Sequence, residues 1–551
     1  MTSALQDRAA TLRRLSSQPY DLLVIGGGVT GAGIARDAAL RGLEVALVEK
    51  TDFAAGTSSK SSKLVHGGFR YLEHAQFRLV FEGTNERALL MKVAPHLVRP
   101  LEFLLPVYKH DKPGLFVLDV GLWIYDGLSK FSSPKLHRTV RAPRVGKIEP
   151  GLKQDGLDGA LLYYDCNTDD ARLTLENVID ARALGATIAN YTKAVKLIKE
   201  GDLICGAEVQ PVDASDSGAT IPVRAKVTIN ATGPWCDDVR QLAGDPGILH
   251  ASKGVHLVVD SARLSPRHAV VMKQKKRIVF CIPWGQDRTV IGTTDTFWDK
   301  PPEEVHTDAD DVEYLLDLAN NYFPEAKLTP ADVLATWAGI RPLIKPDSDV
   351  ATASDVSREH HILERPGLVT IAGGKLTTYR RMAAEVVDHA GKQLGEIAAC
   401  KTEERPLPGA AEPIYSQGYA GVTKLAERIT AEGVVDGAVA KQLANHYGVR
   451  AESVVARIKV EPALGERLDA ELAYVMAQVD VAVDEEQALT VEDVLGRRVQ
   501  LLLRARDQGL GCTERVARRM ALKLGWDAGR TAEEIEKFRG VVANTRRFRK
   551  A

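Results

Sequence analysis

Three features of this 551-residue sequence predict an α/β fold with a β-rich second domain and an all-helical C-terminal domain. A glycine-rich loop near the N-terminus lies between a short apolar run and a helical stretch. The middle of the chain carries short runs rich in β-branched residues, and beyond about residue 400 one helical pattern follows another. Because single cores stop growing at about 250–300 residues, we expect about two or three packed units.

The composition is that of an ordinary globular protein, with 45% hydrophobic and 26% charged residues. Its 72 Lys and Arg nearly cancel its 73 Asp and Glu, which argues against nucleic acid as a partner. The six cysteines form no C-x-x-C pair and no ligand set with histidine, so no disulfide framework and no metal are predicted. The first 19 residues lack the apolar run of a secretory signal, so we expect a cytoplasmic location.

The first element is a predicted β-α-β unit. Apolar runs at residues 21–25 and 44–48 flank a helical stretch that ends at Arg41 and Gly42, a basic residue followed by glycine as at many helix C-termini. Residues 26–31 (GGGVTG) separate the first strand from this helix with G-x-G-x-x-G spacing. In this context the spacing predicts a dinucleotide site.

Each residue of this fingerprint has a physical role. Gly26 permits the tight turn, Gly28 lets the backbone approach a pyrophosphate, and Gly31 lets the helix pack close to the strand. Glu49 follows Gly31 by 18 residues, where its carboxylate can bind ribose hydroxyls and would repel the 2′-phosphate of NADP. A later strand followed by Ala-Thr-Gly at 231–233 resembles the two-dinucleotide-binding flavoproteins, which implies FAD rather than NAD.

The rest of the chain divides into further units. Predicted strands at 226–230 and 368–372 also end in glycine turns, so the nucleotide-binding unit is assembled from distant segments. Short β-rich runs between them predict an antiparallel substrate domain. We therefore predict an N-terminal extension at 1–20, a discontinuous FAD-binding domain over 21–400 interleaved with a β-rich substrate-binding domain at about 95–160 and 240–345, and a helical C-terminal domain at 401–551.

Helix starts in the C-terminal domain are predicted from capping boxes. Thr490 and Asp493 form one such pair, and Thr531 and Glu534 form another. The proline-rich stretch 405–413 is the expected linker to this domain.

Several longer blocks resemble the FAD-dependent, aerobic-type glycerol-3-phosphate dehydrogenases. They follow in order along nearly the whole chain: 58–73 (SSKSSKLVHGGFRYLE), 230–235 (NATGPW), 253–256 (KGVH), 291–295 (IGTTD), 339–343 (GIRPL) and 371–380 (IAGGKLTTYR). The resemblance implies an FAD-binding Rossmann-like domain with a β-rich substrate-binding domain and an all-helical C-terminal domain.

The resemblance also implies sn-glycerol 3-phosphate as substrate. Arg70, Arg341 and Arg358 carry planar guanidinium groups that suit phosphate oxygens. By resemblance, Arg341 and Arg358 lie at the phosphate pocket, and Arg70 with Tyr71 contacts the substrate.

His256 is the expected base that takes the C2 hydroxyl proton, because neutral imidazole titrates near the operating pH. His66 is the other histidine in a matched glycine-containing block, and the sequence leaves the choice between them open. Lys375 would bind a substrate oxygen or stabilise negative charge on the reduced flavin. The predicted catalytic set is His256, Arg341, Lys375 and His66, and His256 and Lys375 also join the substrate contacts.

The predicted FAD contacts come from the fingerprint, the serine-rich block and two glycine turns. They are Gly26, Gly28, Gly31, Glu49, Thr57, Ser58, Ser62, Lys63, Leu64, His66, Gly67, Thr232, Gly233, Gly374, Lys375, Leu376 and Thr377.

Electron acceptor, location and assembly are implied by the resemblance alone. Bacterial dehydrogenases of this family reduce a membrane quinone and lie as homodimers on the inner face of the cell membrane. Lipid contact is then expected through the apolar stretch 115–128, which could equally be a core helix, or through basic segments such as 135–144 and 273–277.

Three alternatives remain open. A glycerol-3-phosphate oxidase of the same family would produce hydrogen peroxide, although such chains typically carry an insertion for which 551 residues leave little room. An amino-acid-oxidase-like enzyme could bind a carboxylate at Arg341-Pro342, but the additional cations Arg70, Arg358 and Lys375 favour a phosphate. A non-catalytic flavin sensor would use the C-terminal helices for docking.

Overall fold

The computed structural model describes residues 4–74, 76–212, 218–274, 277–345 and 359–550. Its strands are β1 (Tyr20–Ile25), β2 (Val45–Val48), β3 (Leu64–Val65), β4 (Arg99–Tyr108), β5 (Arg138–Arg141), β6 (Leu157–Asn167), β7 (Thr187–Ala189), β8 (Thr192–Glu200), β9 (Leu203–Pro211), β10 (Ile221–Asn230), β11 (Ser252–Asp260), β12 (Ala269–Gln274), β13 (Arg277–Trp284), β14 (Arg288–Gly292), β15 (Thr296–Phe297), β16 (Val333–Arg341), β17 (His360–Arg365) and β18 (Leu368–Gly373).

Helices surround these strands and make up most of the C-terminal region. They are α1 (Ala4–Ser17), α2 (Val29–Leu40), α3 (Phe77–Val93), α4 (Leu115–Leu128), α5 (Ala142–Ile148), α6 (Asp170–Ala183), α7 (Cys236–Ala243), α8 (Ala309–Tyr322), α9 (Tyr379–Leu394), α10 (Ala420–Ala431), α11 (Gly437–Tyr447), α12 (Ala451–Val460), α13 (Ala477–Asp484), α14 (Leu501–Arg504), α15 (Thr513–Leu524) and α16 (Ala528–Thr545), with a π-helical turn at Asp493–Arg498 before α14.

The first sheet is parallel through β18, β10, β1, β2 and β7, with β17 antiparallel at its edge. Helices α2, α6 and α9 cover one face and bury aliphatic side chains such as Ile34, Val178 and Val386 against it. Parallel strands that are covered in this way are almost entirely apolar, as VALV in β2 illustrates. The carboxyl ends of β1, β10 and β18 therefore meet at one edge, where each is followed by a glycine turn.

The second sheet is largely antiparallel. Its strand order is β15-β11-β14-β13-β12-β4-β6-β3, with β16 paired to β11. Helix α8 packs on one face and buries Leu315 and Phe323 among the apolar side chains of the strands. Together with the parallel sheet and the helical C-terminal region, this sheet confirms the predicted fold class.

The two predicted capping boxes have different outcomes. Thr490 and Asp493 exchange hydrogen bonds between side chain and backbone, as predicted. The prediction for Thr531 is wrong, because α16 begins one turn earlier with Asp527 as its N-cap. The Asp527 carboxylate accepts the Arg530 amide at 2.7 Å, and the hydroxyl of Thr531 donates to the carbonyl of Asp527.

Residues 405–413 are packed against the parallel domain. Arg405 donates to Asp180 on α6 at 2.8 Å, and the amide of Gly409 donates to the buried Glu176 carboxylate at 2.7 Å. The chain therefore enters the C-terminal region along a fixed path.

No helix in the described part of the chain is both long and apolar enough to cross a membrane.

Candidate active site

A cavity of about 490 Å³ opens at the carboxyl edge of the parallel sheet. Three of its walls come from the loops after β1, β10 and β18, and a fourth comes from the serine-rich segment that follows β2. Its predicted lining residues are Gly26, Gly28, Glu49, Thr57, Ser58, Thr232, Gly233, Gly374, Lys375 and Leu376.

The glycine loop forms the floor of this cavity. Gly26 has a φ of +114°, and a Cβ on Gly31 would lie 1.9 Å from the carbonyl oxygen of Gly26. Glycine is therefore required for α2 to begin so close to β1. The amide of Val29 donates to Ser58 Oγ at 2.9 Å, and the positive end of the helix dipole borders the cavity.

Glu49 lies directly after β2 and binds the glycine loop itself. Its carboxylate accepts the amide of Gly27 at 2.7 Å and the amide of Thr51 at 2.9 Å. Burial raises the pKa of this carboxyl, although both amides oppose the shift. The carboxylate thus fixes the loop and lines the cavity at the position expected for ribose binding.

The opposite end of the cavity is formed by the turn after β18. The ammonium of Lys375 lies 3.7 Å from the centroid of the Tyr71 ring, so two predicted substrate contacts from distant blocks meet here. Thr377 ties the same turn to His66, because its hydroxyl accepts the His66 amide at 3.1 Å and lies 3.2 Å from the His66 carbonyl oxygen.

His256 lies on β11, on the same face as Arg341 of the neighbouring strand β16. The register pairs His256 with Trp337 and Ser252 with Arg341, so side chains at every second position share this face. The imidazole stacks on the Trp337 ring at 4.8 Å, and its Nε2 lies 2.7 Å from Ser62 Oγ. The ring is therefore held in one orientation by a π contact and a hydrogen bond.

The electrostatic surroundings keep His256 neutral. Burial lowers the pKa of its imidazole well below the usual 6.5, and the positive charges of Arg341 and Lys63 lower it further. A neutral imidazole has a lone pair available, which is the state that a general base requires.

The guanidinium of Arg341 is positioned by the segment after β14. It donates to Asp295 Oδ1 at 3.1 Å and to Thr293 Oγ1 at 3.0 Å. Gly254 leaves room for it, since a Cβ there would lie 2.4 Å from the guanidinium. These contacts fix the orientation of the Arg341 guanidinium before any substrate binds.

Other predicted residues make mainly internal contacts. The ammonium of Lys63 pairs with the buried Asp170 at 2.6 Å, and the amide of Gly67 donates to Asp165 at 3.0 Å. Thr57 donates to the carbonyl of Ile340 at 2.6 Å, and Leu64 is buried in β3. Arg358 and the side chain of Arg70 lie outside the described residues.

Sequence reasoning missed three residues that build this site. Trp337 supports the imidazole, and Thr293 with Asp295 holds the guanidinium. Trp337 precedes Arg341 by four positions on β16, so the period of two brings both side chains to the same face, but no strand was predicted there from the sequence. Thr293 and Asp295 lie in the block 291–295 that resembles the family, but nothing in the sequence assigned a role to either residue.

The residues present fit FAD. The start of α2, which has a glycine and hence no side chain at its N-cap, suits a pyrophosphate, Glu49 suits a ribose, and the Lys375 turn supplies a cation at the far end of the cavity. A Cβ added at Gly28 would project into the cavity and lie 3.1 Å from Ser58 Oγ, so the backbone is open to a ligand there.

Comparison with known proteins agrees with this geometry. Residues 21–380 match the family model described as FAD dependent oxidoreductase, and residues 400–531 match the model described as the C-terminal domain of alpha-glycerophosphate oxidase. The chain is 38% identical over 542 residues to glycerol-3-phosphate dehydrogenase 2 of Mycobacterium bovis, which covers 97% of this chain and 90% of that protein. It is 36% identical over 504 residues to aerobic glycerol-3-phosphate dehydrogenase of Bacillus subtilis, with 89% of each covered.

A solved structure extends the similarity to three dimensions. The glycerol-3-phosphate dehydrogenase of Bacillus halodurans complexed with FAD aligns with a TM-score of 0.81 at 32% identity, covering 99% of both chains. L-α-glycerophosphate oxidase of Mycoplasma pneumoniae, at 19% identity and a TM-score of 0.53, shares the fold. The chain therefore belongs to the family of FAD-dependent glycerol-3-phosphate dehydrogenases.

Proposed function

We propose that this protein oxidises sn-glycerol 3-phosphate to dihydroxyacetone phosphate. The observation that carries the proposal is a neutral, oriented His256 on the same sheet face as Arg341, in a chain similar over nearly its full length to glycerol-3-phosphate dehydrogenases. Bound FAD supplies the two-electron acceptor for the hydrogen at C2. The residues of the chain hold the substrate and take up the hydroxyl proton.

His256 is the proposed base. Its neutral imidazole accepts the C2 hydroxyl proton as the carbonyl forms, and Trp337 with Ser62 keeps the ring in place for that transfer. Arg341 and Arg358 bind the phosphate, while Arg70, Tyr71 and Lys375 contact the rest of the substrate or the charge that develops beside it.

The proposal is tested by anaerobic bleaching of the flavin absorbance with glycerol 3-phosphate and by turnover with a dye acceptor. His256→Gln should lower kcat by about 10²–10⁴-fold with FAD content unchanged. His66→Gln is the matched variant, and a larger loss there would assign the base to His66. Because the His256 pKa is depressed, wild-type kcat/KM should keep its plateau down to pH 6.5.

The phosphate assignment has its own test. Arg341→Ala should raise KM for glycerol 3-phosphate far more than it lowers FAD content. Equal losses of both would contradict a substrate role for Arg341. A larger turnover with an amino acid than with glycerol 3-phosphate would favour the amino-acid-oxidase alternative.

We propose a membrane quinone as the electron acceptor, following the family. Quinone reduction and peroxide release are measured in parallel with the same enzyme. Release of stoichiometric peroxide would identify an oxidase instead. A flavin that glycerol 3-phosphate does not reduce would favour the non-catalytic sensor.

We propose that the protein docks on the inner face of the membrane through α4. The exposed face of this helix is apolar: Phe116 is 79% and Trp123 is 53% exposed, while Leu118 and Leu122 on the opposite face are buried. Lys130, Lys135, Arg138 and Arg141 lie exposed just beyond the helix. An apolar face beside cations matches an interface with anionic lipid.

Sedimentation with vesicles that contain phosphatidylglycerol tests this surface. Phe116→Glu with Trp123→Glu should release the protein into the supernatant while dye-linked turnover stays unchanged. Leu522→Glu is the matched variant, since Leu522 is 79% exposed in α15 and lies outside the proposed surface. Binding that survives the double variant would contradict docking through α4.

We also propose a homodimer, which light scattering of the purified protein tests.

A further inference from the structure

A second polar cavity of about 530 Å³ lies at the junction of the antiparallel sheet, the start of α6 and the C-terminal helices. It is separate from the FAD cavity, with which it shares no lining residue. Its cations come from three parts of the chain, namely Lys63, Arg99, Lys441 and Arg504. Its acids are Asp169, Asp287 and Glu471.

All three acids are already engaged. Asp169 caps α6 and accepts the side-chain amide of Gln500 at 2.8 Å. Asp287 pairs with Arg504, and Glu471 accepts Arg506 at 2.9 Å. Asp287 and Glu471 are therefore matched by arginines, and of the three acids Asp169 is the one that also attracts the Arg99 guanidinium.

Two of the cations have no carboxylate partner in the described part of the chain. The partly buried Arg99 donates to the backbone carbonyls of His96 at 3.0 Å and Asn445 at 3.2 Å and also contacts the Tyr419 hydroxyl. Burial lowers the pKa of its guanidinium, and this effect together with the charge of Arg504 outweighs the opposing effects of Tyr419 and Asp169. Lys441 stands one helical turn before Asn445 on α11, exposed at the mouth of the cavity. A partly buried cation without a counter-charge is costly unless a ligand compensates it.

The neighbours of these cations suit an oxyanion that carries an organic group. Tyr419 donates its hydroxyl to Asn445 Oδ1 at 3.1 Å, and the Arg99 guanidinium lies 5.9 Å from the Tyr419 ring. The side-chain oxygen of Gln442 is buried without a hydrogen-bond partner among the described residues. Trp284 and Tyr474 add aromatic rings to the lining of the cavity, and the Arg504 guanidinium lies 5.1 Å from the Trp284 ring. The combination of a planar fork, an ammonium, polar side chains and aromatic rings is typical of phosphate-ester sites.

We propose that this cavity is a second anion site, which binds a small phosphate monoester through Arg99 and Lys441. The site is separate from the FAD cavity and contains neither His256 nor Arg341, although Ser62 and Lys63, which border His256, also line it. The volume exceeds that of inorganic phosphate, so the organic part of the ester lies against the aromatic rings.

Calorimetric titration of the FAD-loaded enzyme with glycerol 2-phosphate tests the proposal, because this ester can also enter the substrate site. The wild type should bind two equivalents. Arg341→Ala should retain binding at the second site only, and Arg99→Gln with Lys441→Gln should retain binding at the substrate site only. The three substitutions together should abolish binding at both sites. The proposal would be overturned if the Arg99/Lys441 double variant still bound two equivalents of the ester. It would also be overturned if the wild type bound one equivalent and Arg341→Ala abolished it.

The design separates this inference from the proposed function. Failure of Arg341→Ala to remove a site counts against the substrate assignment alone. If the double variant does not fold, Lys441→Gln by itself should weaken the second site roughly tenfold. Lys459→Gln, an exposed lysine on α12 that pairs with Glu432, is the matched control and should leave both sites intact. Unchanged affinity in Lys441→Gln would count against the site.

Discussion

The FAD cavity and the contact between α6 and the C-terminal helices use charged groups in opposite ways. At the contact, Arg172 on α6 pairs with Glu486, and both side chains are fully buried. Arg450 bridges Glu486 at 3.2 Å and Glu176 at 2.9 Å. We call these four residues the interdomain ion network. Its charges pair with one another inside the protein, so removing one partner would leave the others buried without a counter-charge.

In the cavity, polar groups are instead left to a ligand. The start of α2 lacks an N-cap side chain of its own, and the ammonium of Lys375 lies over the Tyr71 ring without an ion-pair partner among the described residues. The ion pair across the rim, Lys50 with Glu303, is partly exposed, with side-chain exposures of 28% and 56%. We therefore expect substitutions in the network to change the free energy of unfolding and substitutions in the cavity to change ligand affinity, with little effect of either on the other property.

The largest expected effect is on stability. Glu486→Gln removes the carboxylate that faces Arg172 and Arg450, and leaving such cations buried without their partner costs about 3–5 kcal/mol. The pKa of Glu486 is lowered to about 2, because the two arginines outweigh the opposing effect of burial. Urea unfolding monitored by circular dichroism measures the loss, and the Kd for FAD should stay unchanged.

An exposed pair provides the control for this variant. Glu432→Gln breaks the contact with Lys459 at 2.7 Å, which lies at the surface and should contribute less than about 1 kcal/mol. Equal losses in the two variants, or a weaker FAD complex in Glu486→Gln, would contradict the proposed division between network and cavity.

The next effect is on cofactor affinity. Glu49→Gln replaces a carboxylate that accepts two backbone amides and faces the ribose position. Losing a charged hydrogen bond of this kind costs about 1.5–3 kcal/mol, which corresponds to a Kd for FAD raised by roughly 10–100-fold. Fluorescence titration of the apoprotein measures it. Glu44→Gln, an exposed acid at the start of the same strand, should leave the Kd unchanged.

Sequence alone could predict the cavity because its determinants are local. The glycine loop, Glu49 and the Lys375 turn each follow a strand, and parallel strands bring their carboxyl ends together. The same reasoning predicted that His256 and Arg341 are functional. It did not identify Trp337, whose role depends on the register between β11 and β16.

The interdomain ion network was beyond sequence reasoning for a different reason. Arg172 and Glu486 are 314 positions apart, and their pairing depends on how α6 packs against the C-terminal region. From sequence alone, charged residues such as these are expected to lie at the solvent-exposed surface. The start of α16 was misassigned because Asp527 and Thr531 are both good N-cap residues, and local sequence gives no means of ranking them.

A third prediction concerns acid stability. His96 is fully buried, and burial, followed by the charge of Arg99, lowers its pKa well below 6.5. Since the unfolded chain takes up the proton near pH 6.5 and the folded protein does not, stability falls as the pH drops through that value, by about 1.4 kcal/mol per unit. His96→Phe should flatten the dependence of unfolding free energy on pH between about 7 and 5.5.

The slope rather than the absolute stability is the readout, so a packing change at His96 does not obscure it. His110→Gln is the control, because His110 is exposed and meets the same solvent in the folded and unfolded chain. An unchanged slope in His96→Phe would mean that the buried ring takes up a proton in the folded state.

The smallest expected effect returns to the rim of the cavity. Glu303 accepts Lys50 at 2.7 Å and also binds the indole nitrogen of Trp235, while the Lys50 ammonium lies 4.0 Å from the Trp235 ring. These three residues connect a segment that follows the antiparallel sheet to loops of the parallel sheet at the mouth of the cavity. Glu303→Gln should speed FAD dissociation by about threefold and change unfolding by less than about 1 kcal/mol, since the pair is exposed. Stopped-flow displacement of FAD at low and high salt measures the rate. The difference from wild type should vanish at high salt, because the exposed pair is screened there. A salt-independent increase would show that Glu303 acts by packing rather than by charge.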